Sequence, residues 1–228
     1  MTCIRILSLV LCILMVYSVV VGWRIWQETG VYDSTKHPCV ISELSLHIPT
    51  SLRDKILSIE PRAIRKTVPF SRRGSAIPQS ILDTSIPDIA DYHRSLVPMV
   101  SKMVGEPVSM CPRVSGTSRT VLVYDHPGDY IEWHYDTDAQ SHPSSRFFTL
   151  LIPVEMRSEC MTFRVKVSHT IDMEHRLPVL FEGPTTFHSA TPMCRGERRV
   201  VLALTFCTHP DSVDTGTLMH RLKQQSFS

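Results

Sequence analysis

The stretch RTVLVYDHPGDYIEWHYD, residues 119 to 136, decides the fold of this chain. β-Branched and apolar residues from Arg119 to Tyr124 predict a strand, and the Asp, Pro and Gly residues that follow predict a turn. A second strand is predicted from Tyr130 to Thr137. Because alternate residues of a strand share a face, His134 and Asp136 are expected to point the same way. On the opposite face we expect Ile131, Trp133 and Tyr135.

Further strands are predicted towards the end of the chain. Apolar and β-branched residues favour strands from Pro178 to Glu182 and from Thr185 to Ala190, with Gly183-Pro184 as the turn between them. The second of these strands carries His188. After another turn, a longer apolar run from Arg198 to Cys207 predicts one more strand.

The run from Arg198 to Cys207 begins with two arginines of opposite phase. Alternation puts Arg198 in phase with Val200, Leu202, Leu204 and Phe206, and Arg199 in phase with Val201, Ala203 and Thr205. One arginine therefore faces the interior and the other faces away. We expect Arg198 to face inward, because a hairpin that places His188 near a metal makes Arg198 the better candidate for the inward-facing arginine. Its planar guanidinium can bind a carboxylate through two parallel hydrogen bonds.

Three of these residues have the types and order of a metal site. His134, Asp136 and His188 together form the ligand set of a two-histidine, one-carboxylate facial triad. Such a triad leaves coordination positions open on non-haem Fe(II), where a cosubstrate and O2 bind.

The segments around these residues carry a family resemblance. Tyr124 to Asp136, Arg146 to Pro153 and Phe187 to Pro192, with a basic residue ten positions after His188, resemble the 2-oxoglutarate/Fe(II)-dependent dioxygenases. The chain is most similar to the prolyl 4-hydroxylase-like branch of that superfamily. The resemblance covers about Ser118 to Thr208.

The resemblance implies a fold and a set of ligands. The fold would be mainly β with flanking α-helices, a double-stranded β-helix or jelly roll. His134, Asp136 and His188 would bind Fe(II), Arg198 would pair with the distal carboxylate of the cosubstrate 2-oxoglutarate, and Tyr124 or Tyr130 would add a hydroxyl to that carboxylate. No catalytic residue is implied beyond the metal site.

The implied reaction is the hydroxylation of a C–H bond with O2, which gives succinate and CO2 as coproducts, and ascorbate is expected as a further cofactor. The expected substrate is a protein or peptide side chain, proline first and lysine second. Two alternatives stay open: a non-catalytic jelly-roll binding protein anchored to a membrane, and an oxygenase that acts on a small molecule or lipid. The chain departs from the family at Ser158-Glu159, where family members often carry a Gly-Gly pair, and this departure weakens any transfer of substrate identity.

The N-terminal sequence predicts a membrane anchor in residues 1–26. Ile6 to Trp23 contains no charged residue, and at about 1.5 Å per residue it spans roughly 27 Å, close to the hydrocarbon core of a bilayer. The resemblance favours a type II, single-pass arrangement with the catalytic domain in the lumen of the endoplasmic reticulum or Golgi. Secretion after cleavage of a signal peptide is the alternative.

The rest of the chain predicts one further domain. Residues 27–40 are expected to form a stalk, 41–107 a helical support region, 108–208 the jelly-roll core and 209–228 a C-terminal tail. Helical spacing is present from Leu52 to Ile59 and from Ile86 to Val104, and between them Arg62 to Pro87 is expected to be a long loop over the mouth of the active site.

Charge and cysteine content add two limits. The formal net charge of +2 is too small to indicate a nucleic-acid partner. Beyond the anchor there are five cysteines, an odd number, which leads to no prediction of pairing. The sequence predicts no oligomeric state.

Overall fold

The computed structural model describes Met15 and residues 40–41, 44–68, 71–111, 118–136, 145–166, 170–173 and 176–210. Apart from Met15, the predicted anchor at residues 6–23 lies outside this part of the chain, as do nearly all of the predicted stalk and tail. Among the described residues, no helix is both long enough and apolar enough to cross a membrane. The anchor therefore stays a prediction.

The described chain is mainly β, as the sequence predicts. Its strands are β1 (Val40–Ile41), β2 (Ile64–Val68), β3 (Arg72–Ile77), β4 (Ser109–Met110), β5 (Arg119–Tyr124), β6 (Tyr130–His134), β7 (Phe147–Arg157), β8 (Phe163–Lys166), β9 (Thr170–Met173), β10 (Val179–Glu182), β11 (Phe187–Ala190) and β12 (Arg198–Cys207). Its helices are α1 (Thr50–Ser58), α2 (Gln79–Ser85), α3 (Ile89–Ser95) and α4 (Val97–Val104), with a short 3₁₀ helix at Glu60–Arg62. The strands predicted at 119–124 and 198–207 are confirmed with those bounds.

The strands form one curled antiparallel sheet. Its order is β1-β10-β7-β12-β5-β3-β6-β11-β8-β9, with β2 paired to β3 and β4 paired to β12. The long strand β12 lies between β7 and β5; it pairs with β7 along its whole length and with β5 from Arg199 to Leu204. The curl gives the sheet an outer face, which helices cover in part, and an inner face, which lines a cavity.

The prediction of a long loop from Arg62 to Pro87 is wrong. This segment contains β2, β3 and α2, and β3 pairs with both β5 and β6. Residues 75–77 of β3 pair with β5, and Arg72 and Arg73 pair with β6. The segment has no clear hydrophobic alternation because β2 is an exposed edge strand, so its strand conformation depends on pairing that local sequence does not reveal.

Because β5 and β6 pair with the same edge of β3, they run in one direction along it. The five residues between them bulge out opposite Gly74. A Cβ atom at Gly74 would lie 3.1 Å from the ring of Tyr124, so glycine lets this ring lie flat against β3. The predicted turn at 125–129 is thus an interruption in one long strand, closed by Gly128 at φ 78°.

The main hydrophobic core lies between the outer face of the sheet and the helices. On β12 this face presents Val200, Leu202, Leu204 and Phe206, which pack with side chains such as Ile56, Leu82, Ile89 and Val100 of the helices. Each fully buried side chain of this size contributes roughly 2 kcal/mol to folding. The expectation of helices that flank the strands is confirmed. Pro98 lies in the first turn of α4, where proline is tolerated.

Candidate metal centre

Three ligand-type side chains converge at the ends of β6 and β11. Nε2 of His134 lies 3.4 Å from Oδ1 of Asp136, and Nε2 of His188 lies 3.6 Å from the same oxygen. The potential donor atoms of all three residues lie within 4.8 Å of one another. His134 and His188 are direct partners in the β6–β11 ladder. Cross-strand pairing therefore brings together residues that are far apart in the sequence.

Backbone hydrogen bonds orient both imidazole rings. Nδ1 of His134 lies 2.7 Å from the carbonyl oxygen of Glu132, and Nδ1 of His188 lies 2.9 Å from that of Thr186. A carbonyl oxygen only accepts, so each ring donates its Nδ1–H, and its other nitrogen, Nε2, faces Asp136. Burial and the neighbouring His134 ring lower the pKa of His188 against the opposing effect of Asp136. Two imidazoles and one carboxylate are a ligand set that fits a divalent iron ion.

Asp136 is held by contacts that the sequence did not reveal. The hydroxyl of Thr149 donates a hydrogen bond to Oδ2 of Asp136 at 2.8 Å, which leaves Oδ1 facing the two histidines. The backbone N–H of Asp136 donates to the carbonyl of Gly183 at 3.1 Å. A Cβ atom at Gly183 would lie 2.6 Å from Cβ of Asp136, so only glycine fits there.

The strand carrying the ligands is less regular than predicted. β6 ends at His134, so Asp136 is positioned by its bond to Gly183 rather than by strand alternation. The register also shifts, because His188 pairs with His134 whereas Ala190 pairs with Ile131. This β-bulge turns Ile131 onto the face of His134, and Tyr135 also lines the cavity, contrary to the predicted opposite face for both.

The inner face of the sheet encloses a cavity of about 360 Å³ beside the three ligands. That volume is typical of small-molecule sites, which are mostly apolar with a few placed polar groups. Apolar side chains from several strands line it, among them Leu122, Ile131, Phe163, Phe181 and Val201. Its polar side chains include those of Tyr124, Thr149 and Arg199.

The prediction that Arg198 faces this cavity is wrong. Arg198 lies on the outer face of β12, where it forms an ion pair with Glu60 and has Nε 3.2 Å from a carboxylate oxygen of Glu155. Arg199 lines the cavity instead, in phase with Val201, Ala203 and Thr205. The sequence predicted correctly which residues of β12 share a face, but it placed the two faces on the wrong sides of the sheet. The helices cover the face with the larger apolar residues. The small side chains at 201, 203 and 205 leave the space that becomes the cavity, and this size difference was a signal in the sequence.

Arg199 is placed to bind an anion. Its side chain is buried, and Nε and Nη1 have no hydrogen-bond partner among the described residues. Burial lowers the pKa of its guanidinium, while the adjacent Tyr124 has the opposite effect. A buried cation with unsatisfied donors is costly unless a ligand pairs with it. A carboxylate with two oxygens fits this requirement.

The two candidate tyrosines lie in different places. Tyr124 is buried in the cavity wall, with the guanidinium carbon of Arg199 5.9 Å from its ring centre. Burial raises the pKa of Tyr124 to about 12, so its hydroxyl stays a hydrogen-bond donor near neutral pH. Tyr130 does not line this cavity; it borders a much smaller one against β3. The structure therefore supports Tyr124 and not Tyr130 as a group that a ligand of Arg199 can reach.

A disulfide lies next to the segment where the sequence departs from the family. Cys160 and Cys194 are bonded, and they join the chain before β8 to the chain after β11. The carboxylate of Glu197 accepts hydrogen bonds from the backbone N–H groups of residues 159, 160 and 194 at 2.6–2.8 Å. It also accepts one from the Ser158 hydroxyl at 3.1 Å. The Ser158-Glu159 segment is thus a compact, anchored turn beside the ligand strand.

No protein-family model matches the sequence, and no curated protein is similar to it at a significant level. Solved structures do match. A prolyl hydroxylase from Trichoplax adhaerens, in complex with a hypoxia inducible factor peptide fragment, is 12% identical, with 86% of this chain and 96% of that chain covered and a TM-score of 0.56.

Two further structures agree with this match. The non-haem α-ketoglutarate-dependent epimerase SnoN from nogalamycin biosynthesis is 11% identical over 75% of this chain and 78% of its own, with a TM-score of 0.56. A 2OG-Fe(II) oxygenase family protein from Burkholderia pseudomallei is 12% identical over 74% of this chain and 84% of its own, with a TM-score of 0.51. The chain therefore has the fold shared by 2-oxoglutarate/Fe(II) oxygenases, prolyl hydroxylases among them.

Proposed function

We propose that the protein is an Fe(II)- and 2-oxoglutarate-dependent dioxygenase that hydroxylates a C–H bond of a protein or peptide side chain, as prolyl hydroxylases do. One observation carries the proposal. A complete two-histidine, one-carboxylate set lines the same cavity as a buried arginine whose Nε and Nη1 have no hydrogen-bond partner in the described part of the chain. The first suits iron and the second suits a dicarboxylate cosubstrate, which is the pair of ligands that this chemistry requires.

Each residue has a defined task in this proposal. His134, Asp136 and His188 would hold iron, and Thr149 would keep Asp136 turned towards it. Iron, 2-oxoglutarate and O2 together supply the oxidising chemistry, with succinate and CO2 as coproducts. Arg199 takes the cosubstrate role that the sequence had suggested for Arg198.

The cavity wall would control the cosubstrate and water. The guanidinium of Arg199 would bind the distal carboxylate through charge-assisted hydrogen bonds, and the Tyr124 hydroxyl would donate a further one. Apolar side chains such as Phe163 and Phe181 pack around the ring of His188, at 5.4 and 4.6 Å between ring centres. They would keep bulk water from the reacting centre.

The cellular setting is also proposed. We infer a type II membrane protein with residues 6–23 as the anchor and its catalytic domain in the lumen of the secretory pathway. The Cys160–Cys194 disulfide supports this placement, because disulfides persist in oxidising compartments. Ascorbate would serve to keep the iron reduced. Protease protection on sealed microsomes tests the topology, and digestion of the catalytic domain there would contradict it.

The experiment for the activity uses the full-length protein in detergent with Fe(II), ascorbate and 2-oxoglutarate. Succinate formation is measured with and without proline-containing peptides, and mass spectrometry detects a gain of one oxygen in the peptide. His188→Ala should abolish both signals, whereas the exposed-site control His126→Ala should retain them. A wild-type protein that neither binds Fe(II) nor forms succinate would instead favour the non-catalytic binding protein.

A further inference from the structure

The strand β2 lies at an edge of the sheet beside the cavity. Within the described chain, β2 pairs with β3 and with no other strand. Its outer edge therefore offers backbone N–H and C=O groups that an added strand can use. Val68, the last residue of β2, lines the cavity together with Ser71 and Arg72. Since Val68 and Ser71 are exposed, they mark the mouth of the cavity.

One face of β2 exposes apolar side chains. Among the described residues, the large hydrophobic side chains that are exposed are Met15, Ile64, Val68 and Leu177. Ile64 and Val68, each 36% exposed, lie on β2 and share a face because they are four residues apart. Edge strands more often carry charged residues than exposed isoleucine and valine. Side chains on the same face of a strand added to β2 would pack beside both of them.

The same face carries two cations. Lys66 lies between Ile64 and Val68 on this face, and Val68 pairs with Arg72 across the hairpin. Burial and the nearby charge of Arg72 lower the pKa of Lys66, as expected for cations held close together. An acidic side chain on an added strand would lie next to Lys66 on β2, whereas Arg72 on β3 would be one strand further away, at about 10 Å.

The remaining two arginines of the hairpin have a different task. Arg65 and Arg73 lie on the opposite face, where both approach the buried carboxylate of Asp129. They attach the hairpin to the body of the protein. The backbone N–H of Glu132 also donates to the carbonyl of Ser71 at 2.7 Å. The edge is thus held in place before any partner arrives, which reduces the entropy lost on binding.

Charge within the cavity favours the same kind of ligand. Among the described residues that line it, Asp136 is the one carboxylate, whereas Arg72 and Arg199 are cations. With Fe(II) and 2-oxoglutarate bound, the charges of iron, cosubstrate, Asp136 and Arg199 cancel one another. Arg72 then adds a positive charge at the mouth, which attracts acidic substrates and repels basic ones.

We propose that β2 binds an extended, acidic segment of the polypeptide substrate by strand addition, with an acidic side chain near Lys66. The neighbouring part of the substrate then enters the cavity past Val68. This inference rests on the proposed hydroxylase function and names the class of substrate that the site receives: acidic, unfolded or loop segments of proteins.

Binding is tested with the full-length, metal-free protein and two fluorescein-labelled decapeptides. One alternates valine and glutamate around a single proline, and the other has glutamine in place of every glutamate. Fluorescence anisotropy should show the acidic peptide bound about tenfold more tightly. Lys66→Gln should remove most of this preference. Lys102→Gln, an equal charge change at an exposed position of α4, should leave it intact. Equal affinity for both peptides, or an equal effect of the two variants, overturns the proposal.

Strand addition is tested separately from charge attraction. Acidic peptides are N-methylated at alternate residues in the two possible registers, which removes the N–H groups along one edge at a time. One register should lose about tenfold in affinity and the other should bind nearly as well. If both methylated peptides bind like the parent, β2 does not add a strand. A dimer of this chain that dissociates in the Lys66→Gln variant and excludes the peptides would assign the edge to a second copy and overturn the proposal.

The outcome is distinguishable from that of the proposed function. Peptide binding in the metal-free protein needs no turnover, so binding without any succinate formation would refute the hydroxylase and leave the binding edge standing. Conversely, peptide-dependent succinate formation with equal kcat/KM for the acidic and glutamine peptides would support the hydroxylase and refute the acidic preference.

Discussion

The two halves of the sheet are stabilised in different ways. On β5, β7 and β12, the outer face packs against helices in one large apolar cluster. The other half contains β6 with His134, β11 with His188, and β8. Here the described side chains form smaller clusters without helix residues. The disulfide and the Glu197 carboxylate link the ends of this second half. We infer that the helix-covered half supplies most of the folding free energy, whereas a few specific links hold the ligand-bearing half.

The largest effect is expected in the helix-covered half. Leu202→Ala removes a fully buried side chain between β12 and the helices and should lower the free energy of unfolding by about 4 kcal/mol. Urea unfolding followed by circular dichroism measures it. Leu177→Ala, at a 36% exposed position, is the matched control and should change stability by less than about 0.5 kcal/mol. Similar losses of unfolding free energy in both variants would contradict the inference that the helix-covered half supplies most of the folding free energy.

Removal of the disulfide should destabilise the ligand-bearing half. Cys160 and Cys194 are 34 residues apart, and the double Cys→Ser variant should lose about 3 kcal/mol because the unfolded chain gains freedom. Reduction of the wild type with dithiothreitol should give the same loss, and the double variant should not respond to it. If the reductant destabilises the double variant equally, the bond is not the cause.

Because Arg199 rather than Arg198 lines the cavity, substitutions of the two arginines should differ in their effect on the 2-oxoglutarate requirement. Arg199→Gln should raise the 2-oxoglutarate concentration for half-maximal succinate formation about 100-fold, because a charged hydrogen-bonding partner of a buried carboxylate is lost. Arg198→Gln should leave this concentration nearly unchanged, since Arg198 pairs with Glu60 on the outer face. The opposite ranking would restore Arg198 as the cosubstrate residue.

A smaller effect is expected from the contact behind Asp136. Gly183→Ala would place a methyl group 2.6 Å from Cβ of Asp136, and the displaced carboxylate should reduce Fe(II) affinity about tenfold. Thr149→Val should act in the same direction by removing the hydrogen bond to Oδ2. Metal titration of the purified variants measures both, and an unchanged affinity in both would show that Asp136 needs no such support.

The smallest effect concerns Glu197. Burial raises its pKa, but hydrogen bonds from the backbone of Cys160, Glu159 and Cys194 and from Ser158 outweigh this, so the pKa lies below the usual 4.5. A lowered pKa stabilises the fold above the unfolded-state value, and this contribution is lost as pH falls through the folded-state value. Glu197→Gln should therefore cost about 1 kcal/mol at pH 7. The difference from wild type should shrink below pH 4.5, and a constant difference at every pH would contradict it.

Local patterns in the sequence predicted much of this fold. The strands at 119–124 and 198–207 have the bounds that their β-branched runs indicate. The two phases of β12 are also correct, because alternation is a property of the strand itself. The edge strand β2 and the pairing of β3 with β5 and β6 were missed, since exposed strands carry little hydrophobic signal and depend on their partners.

The sequence by itself determined the residue types of the candidate centre, His134, Asp136 and His188, and the two phases of β12. Only the tertiary structure decided which face of β12 is the inside, and so which arginine lines the cavity. It also decided the contact of Gly183 with Asp136 and the pairing of Cys160 with Cys194. The physical reason is that periodicity fixes which residues share a face, whereas the side of the sheet that helices cover depends on packing between distant parts of the chain.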